Sequence, residues 1–594
     1  LAADVYTSGL FVTEADDITV NTVAAIGVVR VDNDGLNTNT GDDPEDAALS
    51  DLVSDGAVVL QTQDGFLTVN GGGDASGVTA AGNILLEAGD TGEDPADDLD
   101  DITLNASVVS TGGHISIHAA DGIVQNADGD IQTQAKTIDL LAGDEIEMDI
   151  AATATSNNGH IRYEATTGDV TLGTIAAGSG NVAVMATEGS INDLDDTETV
   201  DILASDLMLI AGDDIGAGAN HLETTVAVLS AQTGGDNGMF VTESDAVAIK
   251  TVTVEVNRIG SDGVTPVATT DRSLSDLSAT ADGHIILHAG QGITVYDADD
   301  DNAGVSAAGS GNILLWAETS GDIDFEADAR IFSSSGNITV RANENIWQKD
   351  RAHIISYGGT IDVEAETGGI TMNDGVYATT DGDVDNNIRY KAATDILLGS
   401  LSADNADVSI NAGGNIVDNG DEYAEVIANE LRLIAGGNIG EPVGTNNGHL
   451  DLTVDELAAQ SSGASGTFVT NSQALEIAEV DTVIAHRVNT SGGVDNEADG
   501  ANLSNVVTQT NAGDIVIVTT AGDLTVTDGG DGDGMGVSAD QDGNILLETL
   551  AGSITANADV LSGTGHITIK ADDDIDLTAG VDVSTATSGT ISLV

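Results

Sequence analysis

The stretch Gly336-Asn-Ile-Thr-Val-Arg-Ala-Asn-Glu-Asn-Ile346 decides the fold. Ile338, Val340 and Ala342 fall on one side of an extended chain, and Thr339 and Arg341 on the other. Alternation with a period of two, sustained over five to seven residues, marks a strand with one buried face. A polar corner follows, and Ile346 opens a second short strand. Corners of this kind, such as Ala412-Gly-Gly-Asn-Ile416 and Ala571-Asp-Asp-Asp-Ile575, suit Gly, Asn and Asp because these residues tolerate positive φ.

The pattern returns along the chain. Its first core residues are Ile313, Ile338, Ile361, Ile388, Val408, Leu431 and Leu450, at steps of 25, 23, 27, 20, 23 and 19. An earlier series runs Ile84, Ile115, Ile138, Ile161, Val182, Leu207 and Leu222. A unit of about 23 residues with two or three short strands cannot bury its inward face alone, so it stacks on copies of itself as a turn of a parallel β-solenoid. At about 4.8 Å per turn, roughly 26 turns would make a rod on the order of 120 Å long. The rival is a string of β-sandwich domains, which run about 100 residues with strands every 8–12. No window keeps apolar spacing of three and four residues, so almost no helix is expected.

The short repeats are grouped into a longer one. Phe11, Phe240 and Phe468 lie in matching segments 229 and 228 residues apart. Gly-Asn-Ile-Leu-Leu begins at Gly82, Gly311 and Gly543, with spacings of 229 and 232. Gly56-Ala-Val-Val-Leu60, Gly283-His-Ile-Ile-Leu287 and Gly513-Asp-Ile-Val-Ile517 keep the same order. The expected organisation is one continuous rod of three blocks, 1–229, 230–457 and 458–594, the third truncated. The chain shows no initiator Met and no secretory signal, and it stops at Gly589-Thr-Ile-Ser-Leu-Val594, which matches Gly359-Thr-Ile-Asp-Val363. It therefore reads as a piece of a longer protein. Blocks differ in their loops: Thr91-Gly-Glu-Asp-Pro-Ala-Asp-Asp98 has no counterpart in the second block.

Composition narrows the function. The chain carries 100 acidic and 15 basic residues, a formal net charge of −85. Nucleic acid and anionic membrane are disfavoured as direct partners. Such a surface repels itself unless salt or divalent cations screen it, which points to a saline or calcium-containing extracellular setting. With no Cys, disulfides and thiolate metal sites are excluded. Aromatics make up 3%, so a narrow interior would be filled by Ala, Val, Ile and Leu. No apolar run is long enough to span a membrane as a helix.

Three kinds of chemistry compete with plain surface roles. Asp297-Ala-Asp-Asp-Asp-Asn-Ala-Gly304 and Asp528-Gly-Gly-Asp-Gly-Asp-Gly534 alternate carboxylates with turn residues. Asp297, Asp299, Asp301, Asp528, Asp531 and Asp533 are accordingly weak calcium candidates, since calcium takes six to eight oxygens. Solvated acidic corners are the competing reading, because the equivalent loop Asn70-Gly-Gly-Gly-Asp74 has one acid. His114/His118 and His284/His288 are four apart on strands, but His284 and His288 align with Ala57 and Gln61, and with Asp514 and Val518, so they read as surface positions rather than ligands. Carboxylate pairs for glycoside or polysaccharide cleavage carry no information among 100 acids. The basic residues look scattered, and no nucleophile elbow, phosphate loop or zinc motif occurs, so no enzyme is expected.

The motif at Gly336, and its variant Gly565-His-Ile-Thr-Ile-Lys-Ala-Asp-Asp-Asp-Ile575, resembles the repeats of filamentous-haemagglutinin-like bacterial surface proteins and very large repetitive exoproteins. The likeness covers most of the chain as a pattern of Gly, aliphatics and Ala. It implies a right-handed parallel β-helix at the surface of a bacterium, used in adhesion, matrix or filament building. The leading expectation is a structural rod in a surface fibre, sheath or biofilm matrix that self-associates or joins head to tail. The second is a giant adhesin whose loops bind glycans or surface proteins, and a β-helix enzyme is the remote third.

Overall fold

A computed structural model describes residues 1–594 except 32, 34, 36–44, 74, 91–99, 195–198, 382, 421–423, 443–447 and 587. Every described element of regular structure is a strand. Contacts divide the chain into two compact units, Leu1–Glu243 with Thr251–Leu274, and Ser244–Lys250 with Ser275–Val594. Each unit is a parallel β-solenoid.

One turn shows the construction. Ile338–Ala342, Ile346–Gln348 and Ile354–Ser356 are its three strands. They pair in parallel with Ile361–Ala365, Ile370–Met372 and Tyr377–Thr380 of the next turn, placing Ile338 on Ile361, Ile346 on Ile370 and Ile354 on Ala378. Aliphatic residues thus stack in rows along the interior, and Ile338, Val340, Ala342, Ile346 and Ile361 are fully buried. Burying each such Ile or Val contributes about 1.5–3 kcal/mol. Ile84, Ile313 and Ile545 each open a strand and point inward, so the long repeat is carried into equivalent positions.

Two of the expected register residues are different. Leu207 pairs with Leu229, not Leu222, and Leu431 pairs with Leu457, not Leu450. Leu450 instead stands beside Val469. Near the end of the second block the strands lengthen, as in Val426–Ala435 and Leu450–Ser461, and one long strand serves two ladders. Pattern alone cannot tell which apolar residue of such a strand continues which row.

The corner chemistry also differs from the expectation. Gly336, Gly359, Gly543 and Gly565 do not have positive φ. They are glycines because the turns touch there: a Cβ on Gly336 would collide with the carbonyl oxygen of Gly311, and one on Gly359 with that of Gly336. Gly413 meets the carbonyl of Ala393 in the same way. A serine three residues earlier completes the corner. Ser333 Oγ accepts from Gly336 N at 2.8 Å and donates to Gly311 O at 2.8 Å; Ser356 Oγ does so with Gly359 N and Gly336 O at 2.9 and 2.8 Å. Ser562 repeats it with Gly565 N and Gly543 O.

The residue after each glycine forms a second ladder. Asn312 Oδ1 accepts from Asn337 N at 2.8 Å, and Asn337 Oδ1 from Thr360 N at 2.9 Å. The half-buried backbone donors at the edge of these turns are satisfied in this way. A third recurring feature lies inside the stack. Tyr163 Oη donates to Gln125 Oε1, and Tyr390 Oη to Gln348 Oε1, each at 3.1 Å with both phenols fully buried. Tyr390→Phe is expected to cost about 1–3 kcal/mol in urea unfolding, because Gln348 keeps a buried acceptor without its donor.

Candidate functional site

The acidic corners come first. Three oxygens, one each from Asp276, Asp299 and Asp301, lie within 4.8 Å of one another, as do three from Asp528, Asp531 and Asp533. Asp297 stands outside the first triad. Its carboxylate accepts from Asp301 N at 3.0 Å and shapes the loop, while Asp301 accepts from Ala303 N at 2.8 Å. In the second corner, Asp531 accepts from Asp533 N at 3.3 Å and Asp533 from Met535 N at 2.8 Å. Asp74 of the first-block loop lies outside the described residues, as does the segment Thr91 to Asp98.

Asp276 was not singled out in the sequence. It comes about 20 residues before the loop and is brought there by stacking, since Leu277–Ala279 pairs with Val305–Ala307 just past the loop. It is 7% exposed, and its Oδ1 has no hydrogen-bond partner. Burial first, then the charges of Asp299, Asp301 and Asp297, push its carboxyl up to about 7. Burial likewise raises Asp201 to about 8 and Glu430 to about 7. Folded-state values above the unfolded one mean that the native chain holds protons the unfolded chain has lost. In metal-free buffer, stability should therefore fall as pH rises from about 4 to about 7. Asp276→Asn should flatten part of that fall, which urea melts at successive pH values would measure.

A second construction covers the outer face of the first-ladder strands. The hairpin Glu255–Ile259/Pro266–Thr270 is antiparallel and lies on earlier turns of its own unit. Ile259 N donates to Ser116 Oγ at 2.9 Å, Asn257 N to Thr137 Oγ1 at 2.9 Å, and Asn83 Nδ2 to Gly263 O at 3.1 Å. Ile259 packs on Val59 and Leu85. Arg258 and Arg162 converge on the buried Asp139 at 2.7 and 3.1 Å, and Arg162 also reaches Asp271 at 2.8 Å.

The second unit repeats this strap with Ile484–Val488/Val494–Ala498. Val488 N donates to Thr339 Oγ1 and His486 N to Thr360 Oγ1, each at 2.8 Å, and Asn312 Nδ2 donates to Gly492 O at 2.9 Å. Arg389, fully buried, holds Asp362 at 2.6 Å and Asp499 at 2.8 Å, and Arg487 meets Asp362 at 2.6 Å. Burial alone would raise the carboxyls of Glu364 and Asp139. The guanidinium groups outweigh it, so Glu364 sits down at about 2, and hydrogen bonds from His118 and Arg258 hold Asp139 well below the usual carboxylate range.

The basic residues are therefore not scattered. Arg162 and Arg389 are 227 apart, and Arg258 and Arg487 are 229 apart. Arg30-Val31 with Gly35 continues the series of Arg258-Ile259 with Gly263 and Arg487-Val488 with Gly492. In a chain with 15 basic residues, recurrence at one position was the signal that could have revealed the strap. The histidines have structural places. His284 Nδ1 accepts from Asn312 N at 3.0 Å and His114 Nδ1 from Thr137 N at 3.1 Å, so both take Asn's part in the corner ladder, half-buried rather than fully on the surface. Burial lowers both imidazoles below their ordinary value, which keeps them neutral acceptors. His118 pairs with Asp139 at 3.3 Å.

Compared with protein-family models, curated proteins and solved structures, the chain matches none of them. Of the resemblance drawn from the repeats, the structure supports the coarser part, an all-strand parallel solenoid of many stacked turns.

Proposed function

We propose that this chain is a structural segment of an extracellular fibre, sheath or matrix, built from solenoid blocks that are each strapped by a hairpin of the block that follows. The strap carries this reading. It occurs twice with the same donors, acceptors and arginines, and it spends the chain's rare basic residues on joining turns rather than on a concave site. A net charge of −85 keeps such a surface soluble and deters unspecific contact.

The strap also supplies a joint between blocks. Ile259 and Val488 are 1% exposed in their seats, whereas the equivalent Val31 is 69% exposed. In the third block, Val516, Asn544, Leu546 and Thr568 stand where Val59, Asn83, Leu85 and Ser116 receive a strap in the first, and Val516, Leu546 and Thr568 are half-buried. The partner that fits both is another block of the same repeat, in the same or a neighbouring polypeptide. The test is direct. A synthetic hairpin of residues 480–503 should bind the purified chain saturably, and Leu546→Glu should abolish that binding. Electron microscopy of the native material should show a continuous fibre about one solenoid wide. No hairpin binding together with isolated stalks bearing tips would favour the adhesin instead.

A further inference from the structure

We propose that the corner formed by Asp276, Asp299 and Asp301 binds a divalent cation of the calcium class, with the Asp528, Asp531 and Asp533 corner as its counterpart in the following block. This goes beyond the structural role, which needs no metal.

Exposed acids often gather without holding an ion, so the cluster alone would not carry the claim. The buried member does. Asp276 is 93% covered (7% exposed), its Oδ1 accepts no hydrogen bond, and its carboxylate is one of the three that converge within 4.8 Å. A buried charge is tolerated when something of opposite sign meets it. Among the described residues around it, Asp297, Asp299 and Asp301 are the charged neighbours that bear on Asp276, and all three are negative.

The other two blocks show what meets the same position elsewhere in the chain. Asp51 occupies it in the first block, in the same left-handed conformation, with φ of 68° against 69° for Asp276. The loop opposite Asp51 is glycine-rich, and Gly72 N donates to its Oδ1 at 3.2 Å. In the third block the residue is Asn505, φ 73°. Asn505 is 3% exposed, donates from Nδ2 to Asp531 Oδ2 at 3.3 Å, and keeps a buried Oδ1 without a partner. The first block thus meets its half-buried carboxylate with a backbone amide. The second replaces that amide with carboxylates, and a cation is the group that answers them. The third moves the three acids into the loop and offers a neutral oxygen beside them.

The donors are all oxygens, which selects a hard cation. Calcium accepts six to eight oxygens in flexible geometry, so three carboxylates plus loop carbonyls and water suffice. Magnesium demands a tighter octahedron and sheds water reluctantly, so it should bind at least tenfold more weakly.

The experiment uses the full chain, stripped with chelator and titrated with calcium chloride by calorimetry in physiological sodium chloride. Two saturable sites are expected. The double variant Asp299→Asn/Asp301→Asn, at exposed positions where the fold tolerates amides, should lose one of them and keep the other. Asp51→Asn should change neither. Terbium should show luminescence sensitised through Tyr296, adjacent to Asp297, and the double variant should lose it. Calcium should raise the melting temperature above that in sodium chloride of equal ionic strength. Absence of saturable binding, or binding indifferent to Asp299→Asn/Asp301→Asn, overturns the proposal. A melting shift that sodium chloride reproduces would reduce it to general screening of the acidic surface. Equal affinity for magnesium would overturn the assignment to calcium.

Discussion

Arg389→Ala should destabilise the second strap by roughly 3–5 kcal/mol, the cost of leaving buried charges without their partner. Arg389 is fully buried against Asp362, also fully buried, and against Asp499, which comes from the far side of the hairpin. Arg487 can still hold Asp362 and Glu364, but it does not reach Asp499. Arg389→Lys should rescue little, because an ammonium cannot span Asp362, Glu364 and Asp499 as the planar guanidinium does. Limited proteolysis should then cut within residues 484–498 while the stacked turns stay protected. The pH dependence follows from Glu364. Its folded value near 2 lies below the ordinary 4.5, so this stabilisation is present above about 4.5 and lost as pH falls through about 2. The intact strap should therefore hold until strongly acid conditions, whereas that of the alanine variant should open at neutral pH.

Ile338→Asp should act on the interior with a comparable or larger effect. The side chain is fully buried between Leu315 and Val363 levels of the stack, with Ile313 and Ile361 as its row neighbours. A carboxylate there costs several kcal/mol or takes up a proton. Each solenoid turn touches its neighbours, so damage should stay local. Proteolysis should begin near residue 338, with the turn around Leu431 protected. The strap adds a second expected cut, because Val488 is held by Thr339. Cleavage at 338 and within 484–498, with protection between them, would report both the stack and the strap. Uniform digestion would count against a stacked-turn architecture.

The parts legible in the sequence are those with a period. Ile313, Ile338, Ile361, Ile388, Val408 and Leu431 form one row as their spacing predicts, and Ile84 and Ile313 are equivalent. The row was lost at Leu450 because the long strand Leu450–Ser461 offers apolar residues to two rows at once. The corner at residues 412–416 was correctly seen but for the wrong cause: torsional freedom was expected, whereas Gly413 and Gly414 lack positive φ and atoms of the neighbouring turn take up the room. The alternating aspartates of the loops were readable, but Asp276 was not, because only stacking brings it to them. The straps were hidden for a similar reason. Arg258 and Asp139 are 119 residues apart, and no local pattern joins them.

Both straps bind residues that precede them, at separations of 143 for Ile259 with Ser116 and 149 for Val488 with Thr339. A chain made from its N-terminus lays down each seat before the piece that closes it. Closing a flexible loop of that length rather than one of about 23 residues costs about 1.6 kcal/mol more in entropy, so docking should wait until the intervening turns have stacked and shortened the gap. Refolding should accordingly show fast growth of strand signal followed by a slower, separate protection of the hairpin amides. Assembly would then run in one direction, with each newly made block latching the one completed before it.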